Sequence, residues 1–238
     1  WDKWTIEAGV RLDWTQMKPE GLATSQESFT GFSASGSATW EATESISVGL
    51  ALSVAERAPA IEELFSNVGV ANGDDLVVHA ATGSVEVGNL DLDTEVSSNI
   101  DFSFHWSSEA AFVDFKVFYN DFSDYINLIS TGLFIEEAPL RRYAQQDAEF
   151  YGVEFDSEFS VAMVGDGELS LGVFGDAIRG ELKDSGDVAR LPADKVGIRL
   201  NWGNERTELW SRLSNVSDQS RPGLNETPTK GYTRVDLG

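Results

Sequence analysis

The sequence predicts an all-β fold: an antiparallel, up-and-down transmembrane β-barrel, present as a partial barrel of about ten strands with short periplasmic turns and long extracellular loops. Three observations predict it. Apolar residues recur at every second position along nearly the whole chain, short connections alternate with long ones, and several tryptophans stand at or near the ends of the alternating runs. A period of two is the mark of a strand with unlike faces. No apolar run approaches the ~20 residues of a membrane helix, but a spanning strand needs only ~9–11 and is free to be polar on alternate positions.

The elements follow in order. Ile6, Ala8, Val10, Leu12 and Trp14 share one parity against Glu7, Arg11 and Asp13; Phe32, Ala34, Ala38 and Trp40 oppose Ser33, Ser35, Ser37 and Thr39. Ile46, Val48, Leu50, Leu52 and Val54 continue the pattern, as do Ile100, Phe102, Phe104 and Trp106, then Tyr151, Val153, Phe155 and Phe159, and the run from Val196 to Trp202. Short turns near Glu44, Glu109, Gly165 and Asn204 alternate with long connections: Pro19 to Ser28, Glu56 to Leu92, Ser130 to Arg142, Lys183 to Lys195 and Ser217 to Gly231. Turns at one rim, loops at the other and Trp14, Trp40, Trp106 and Trp202 near strand ends match a barrel with aromatic girdles. A soluble all-β binding or adhesion module, the rival architecture, has less reason to sort its connections by length.

Composition narrows the chemistry. With no cysteine among 238 residues, a disulfide framework and a thiolate metal site are both excluded. The net charge of −23 opposes nucleic-acid binding and favours cations. No nucleophile elbow, HExxH, phosphate loop or dinucleotide fingerprint is present, so no enzyme is expected. The chain opens on "WDKW" and stops at "YTRVDLG", inside a strand pattern, and reads as a piece of a longer protein.

One break in the alternation carries the most information. After Val54 comes "ERAPAIEELF", Glu56 to Phe65, where Pro59 stops the ladder and the residues after it suit a single helical turn. This stretch resembles the "RxPxxxELF" box of TonB-dependent outer-membrane receptors. "GNLDLDTEVSSNIDF" (Gly88 to Phe102), "FYNDFSDYINL" (Phe118 to Leu128), "DAEFYGVEFD" (Asp147 to Asp156) and "ETPTKGYTRVDL" (Glu226 to Leu237) resemble further boxes of that family, in the family's order. The resemblance implies that residues 1–238 are part of a roughly 22-stranded barrel in the bacterial outer membrane. Residues 56–92 would form a long extracellular loop. It further implies a plug and TonB-contacting segment preceding this stretch, contact with outer-membrane lipid, and TonB-driven import of a scarce small nutrient. The expected cargo is a metal or metal chelate (ferric siderophore, haem or zinc), with no intrinsic cofactor. An oligosaccharide or cobalamin is the alternative cargo, and a sugar site would draw on loop aromatics such as Phe65, Phe134 and Tyr143.

Candidate ligand-binding residues are His79, Arg57, Glu62 and Glu86. His79 lies in the long loop, in "VVHAAT", which is similar to the "GPHAAT" of the zinc-importing branch; it also falls between two boxes that flank the axial histidine in the haem branch. Imidazole suits both zinc and haem iron. Asp74, Asp75 and Glu86 are the carboxylates placed to join His79 around a zinc ion, together with residues of the plug that the resemblance implies. Arg57 and Glu62 either contact ligand or lock the loop base by a salt bridge. His105 and the row Glu154, Asp156 and Glu158 fall on the polar, lumen-facing parity, where hydrogen bonding in a wet pore is expected.

Overall fold

The computed structural model describes residues 3–19, 26–70, 75–224 and 226–238. Ten strands pair in chain order to form one antiparallel wall: β1 (Trp4–Met17), β2 (Glu27–Thr43), β3 (Ile46–Arg57), β6 (Glu95–Ser108), β7 (Ala111–Ile135), β8 (Ala138–Val164), β9 (Gly167–Leu182), β11 (Lys195–Gly203), β12 (Glu208–Val216) and β13 (Tyr232–Leu237). Three short strands branch from it: β4 (Val78–His79), β5 (Ser84–Val87) and β10 (Gly186–Asp187). Among the described residues the sheet is an open arc whose first and last strands do not pair with each other.

The register turns the sequence alternation into two surfaces. Leu12 faces outward beside Phe32, Leu50 beside Ala38 and Phe102, and Ile198 beside Val173 and Leu213, so the apolar parities of neighbouring strands join into one band. That band is exposed: Leu12 is 73% accessible and Leu52 52%. In water such a surface would be strongly unfavourable, whereas hydrocarbon is its natural solvent, and two sheets closed over a shared core are not what this chain builds. Trp4 stacks on Trp40 with ring centroids 5.9 Å apart at the short-turn rim, where Trp106 and Trp202 also lie, while Trp14 stands at the other end of its strand.

The opposite face is polar and also holds a line of aromatic rings. Phe118, Phe150 and Phe174 each stand directly across from a glycine of the next strand, Gly152, Gly180 and Gly197. A Cβ at any of these glycines would run into the facing ring, so the missing side chain lets each ring lie back against the wall.

The structure departs from the sequence expectation at one connection. Ser130 to Arg142 is not an open loop, because β7 and β8 continue as a hairpin of 25 and 27 residues closed by Glu136 and Glu137. The cause is visible in the register, which shifts between Phe122 and Tyr125 and again between Ser130 and Phe134. Asp124 and Glu136 adopt positive φ, as does Gly132. The first shift, three residues of β7 against two of β8, resets the parity of β7, and the second adds two unpaired residues, so one uninterrupted alternation does not run through the hairpin.

Candidate functional site

The long segment after β3 folds into a clasp at the loop-bearing rim. Helix α1 (Ile61–Phe65) begins just after buried Pro59, and the side chain of Glu63 turns back to accept the Ala60 N–H at 2.7 Å. Leu64 is fully buried and Phe65 nearly so; they pack with Leu92 and Ile126, against Met17 and Phe29 from the lumen-facing parity of β1 and β2. Gly88 donates to the Ser66 carbonyl at 2.7 Å and Asn89 to that of Glu63 at 2.9 Å. A Cβ on Gly88 would collide with the Leu64–Phe65 backbone, so only glycine permits this approach. Immediately before Gly88 the chain runs through β5, which pairs in parallel with the upper part of β8, Glu86 standing opposite Arg141. Since β9 pairs with β8 only from Ala148 onward, β5 covers an edge of the tall hairpin that would otherwise be bare.

Arg57 locks the base of this clasp, but not through Glu62. Its guanidinium bonds Glu63 at 2.9 Å and Glu95 at 3.1 Å, and Glu95, nearly buried, also accepts the Ile126 N–H at 2.8 Å. The correction follows from helix geometry: Glu63 doubles back to its own N-terminus and toward the end of β3, while Glu62, one position earlier, is turned ~100° away. Partial burial works against the charge of Arg57, yet hydrogen bonds to Glu95 and Glu63 outweigh it and hold the guanidinium above its usual value.

Beside the clasp lies a cavity of about 530 Å³, lined by Glu62, His79 and Glu86 from the long segment and by Tyr125, Arg141 and Tyr143 from the hairpin, with further residues of the segment after β9. Three of the four expected ligand-binding residues thus share one space, and Arg57 is outside it as a brace. Glu86 is 5% accessible and its carboxylate is ringed by hydroxyls: Thr82 donates at 2.6 Å, Ser84 at 3.3 Å and Tyr143 at 3.1 Å. His79 Nδ1 lies 3.8 Å from Glu86 Oε1 and 3.3 Å from Thr82 Oγ1. Burial, and then the neighbouring Glu86 charge, push the Tyr143 phenol well above its usual value, so it stays a donor. Asp75 is exposed and does not line the cavity, and Asp74 lies outside the described residues. Among the described residues no three histidine or carboxylate side chains gather as a metal cage.

The remaining candidates have ordinary partners. His105 sits 2.7 Å from Asp114 on the wall. Asp156 pairs with Arg199, and Glu158 accepts from Asn201 and Ser170, both at 2.9 Å. These bonds stitch strands together across the lumen face rather than forming an acid–base pair. Of the aromatics a sugar site would use, Phe65 is buried in the clasp core, Phe134 is exposed at the hairpin tip and only Tyr143 reaches the cavity. Glu63, Glu95 and Arg141 escaped the sequence reading. For Glu95 the signal was its place in the box after Gly88; for the others, pairing set by the fold left none.

A model of the "TonB dependent receptor-like, beta-barrel" family matches residues 1–238, the whole chain. The chain belongs to that family. As a TonB-dependent receptor barrel it is an outer-membrane protein of a family of transport receptors, not enzymes. Its architecture is similar to that of "Copper transporter OprC", at TM-score 0.78 and 18% identity over 99% of this chain and 36% of that one. The FrpB iron transporter from Neisseria meningitidis (F3-3 variant) aligns at TM-score 0.67 and 16% identity, covering 99% of this chain and 35% of that one. The ferric enterobactin receptor PfeA aligns at TM-score 0.60 and 16% identity, covering 100% and 35%. At these identities the likeness is one of fold. The chain spans about a third of the length of the solved proteins it matches.

Proposed function

We propose that the receptor to which this barrel belongs imports a metal or metal chelate across the outer membrane, with energy supplied through TonB, and that the mouth cavity receives the cargo. The observation that carries this reading is the joint lining of one cavity by His79, Glu62, Glu86 and Tyr143, nitrogen and oxygen donors placed by two independent pieces of chain. A volume of about 530 Å³ is of the size small-molecule sites have. The printed names of the neighbours, a copper transporter, an iron transporter and a ferric enterobactin receptor, support a metal-bearing cargo.

Within that reading a chelate is favoured over a bare ion. Both oxygens of Glu86 are already engaged, so His79 lacks a second protein ligand of full strength among the described residues. A chelate brings its own donor atoms and asks only for shape, charge and one or two polar contacts. The test is titration of the complete receptor in detergent with zinc, haem and ferric siderophores, wild type against His79→Ala. Binding of a ferric chelate or haem that weakens in the variant supports the reading; absence of binding to all three overturns it.

A further inference from the structure

The outer face of the wall changes character within single rows of the sheet. Ala34, Val54, Ser98, Asp121, Glu149 and Glu181 stand opposite one another on six neighbouring strands, on the same outward parity as Leu52 and Ile100. Strands of a barrel are tilted, so such a row is inclined to the membrane plane; this one leaves the apolar band at Ser98 and becomes charged. The row beside it runs from Gly36, Leu52 and Ile100 to Tyr119 and Tyr151, the residue type of an interface girdle. Tyr119 donates to Glu149 at 2.7 Å, Tyr151 to Glu181 at 3.2 Å and Lys183 to Asp121 at 2.8 Å.

Where the two rows pass from apolar to polar, the outer face is hollow. A groove of about 530 Å³ has Leu52, Val54 and Ile100 along it and Tyr119 and Asp121 at its polar end. Space stands open over Gly36, where an added Cβ meets only the Glu7 carbonyl, at 3.9 Å. The groove is continuous with the lipid-facing band, and hydrocarbon that fills it gains contacts a flat wall does not offer. Its polar end selects the head group. Asp121, Glu149 and Glu181 set three carboxylates against Lys183, while Arg179 of the same face is held by Asp194. Glu149 and Glu181 face each other in register and hold no ion pair among the described residues. That excess repels a head carrying only phosphate, whereas an ammonium beside the phosphate sets the ammonium on the carboxylates and the phosphate on Lys183. We infer that this groove is a binding site for one lipid of the leaflet on the loop side, its acyl chain lying over Gly36 and its zwitterionic, ammonium-bearing head group at Asp121, Glu149 and Lys183. The site is independent of the cargo and of the mouth cavity.

Native mass spectrometry tests it on the complete receptor in detergent, offered phosphatidylethanolamine, phosphatidylglycerol or lipopolysaccharide, by counting the lipids retained on each barrel. Circular dichroism confirms that the variants are folded. The expected result is one phosphatidylethanolamine retained at least fivefold more than phosphatidylglycerol in wild type. Gly36→Ile, which projects into the groove, lowers that occupancy at least fivefold; Ser211→Ile, outward on β12 between Leu200 and Leu237, leaves it unchanged. Asp121→Asn combined with Glu149→Gln removes the preference between the two phospholipids while one lipid is still retained. Equal retention by wild type and Gly36→Ile overturns the site. So does a wild-type preference for phosphatidylglycerol or lipopolysaccharide, the absence of any retained lipid, or a receptor dimer that Gly36→Ile dissolves.

Discussion

Along β3, Leu50, Leu52 and Val54 lie roughly half exposed on the outer face, whereas Leu64, a few residues past the strand's end, is completely buried. The same residue type serves two solvents. On the wall, apolar side chains need only the correct parity, because lipid accepts any of them. At the mouth, water is the surrounding medium, and Leu64 and Phe65 must find each other, Leu92 and Ile126 to be covered. The comparison teaches that the wall tolerates substitution by kind, and the mouth only by shape.

That contrast can be broken from either side. The largest effect is expected at the clasp: Leu64→Ala costs about 3 kcal/mol locally, opens the packing of α1 against Leu92 and Ile126 roughly a hundredfold more often, and raises cleavage of the clasp by external protease while the strands stay intact. Leu52→Ala on the lipid face should leave both unchanged. The second test sharpens the wall. Leu52→Arg places a charge in lipid near mid-strand and costs about 2–3 kcal/mol in denaturant unfolding from lipid vesicles, whereas Ser53→Arg, one residue on and lumen-facing, stays within about 0.5 kcal/mol.

A third comparison separates brace from cavity. Arg57→Met leaves Glu95 nearly buried with only the Ile126 N–H, for a loss of about 2 kcal/mol in clasp stability, as read from amide exchange of α1. Glu62→Gln, on the cavity side, leaves clasp stability unaltered. The smallest expected effect is a pH response. Asp194, in the connection before β11, is hydrogen-bonded by Arg179, which lowers its pKa below the usual carboxylate value. Its contribution is therefore full above the unfolded pKa of ~3.9 and is lost as pH falls through the lower folded value. Acid titration followed by fluorescence should show that connection loosening only below about pH 4, and Asp194→Asn should remove the response.

The wall was legible in the sequence because its physics is one-dimensional. Parity and connection length suffice to place Ile6, Phe32, Leu50, Ile100 and Ile198 on one surface and to order the strands. The hairpin beyond Phe122 was not, because the bulges at Asp124 and Gly132 shift the frame and the pairing is decided by the partner strand. At the site, the box around Arg57 marked the right turn of chain but not its partner. Glu62 and Glu63 are equivalent in composition, and only the direction of the helix start tells them apart. Arg141 was invisible for a similar reason: only the parallel pairing of β5 with β8 brings it opposite Glu86.

The cavity requires the described residues 58–70 and 75–94 to be a folded wall and not a free loop. Amide hydrogen exchange of the complete receptor in detergent tests this most directly, read on peptides covering 84–92, where Gly88 and Asn89 donate to Ser66 and Glu63, against the exposed tip at 131–135. Residues 84–92 are expected to exchange orders of magnitude more slowly than the tip and nearly as slowly as β6. Exchange of 84–92 as fast as the tip would contradict it, and with it the cavity built on that segment.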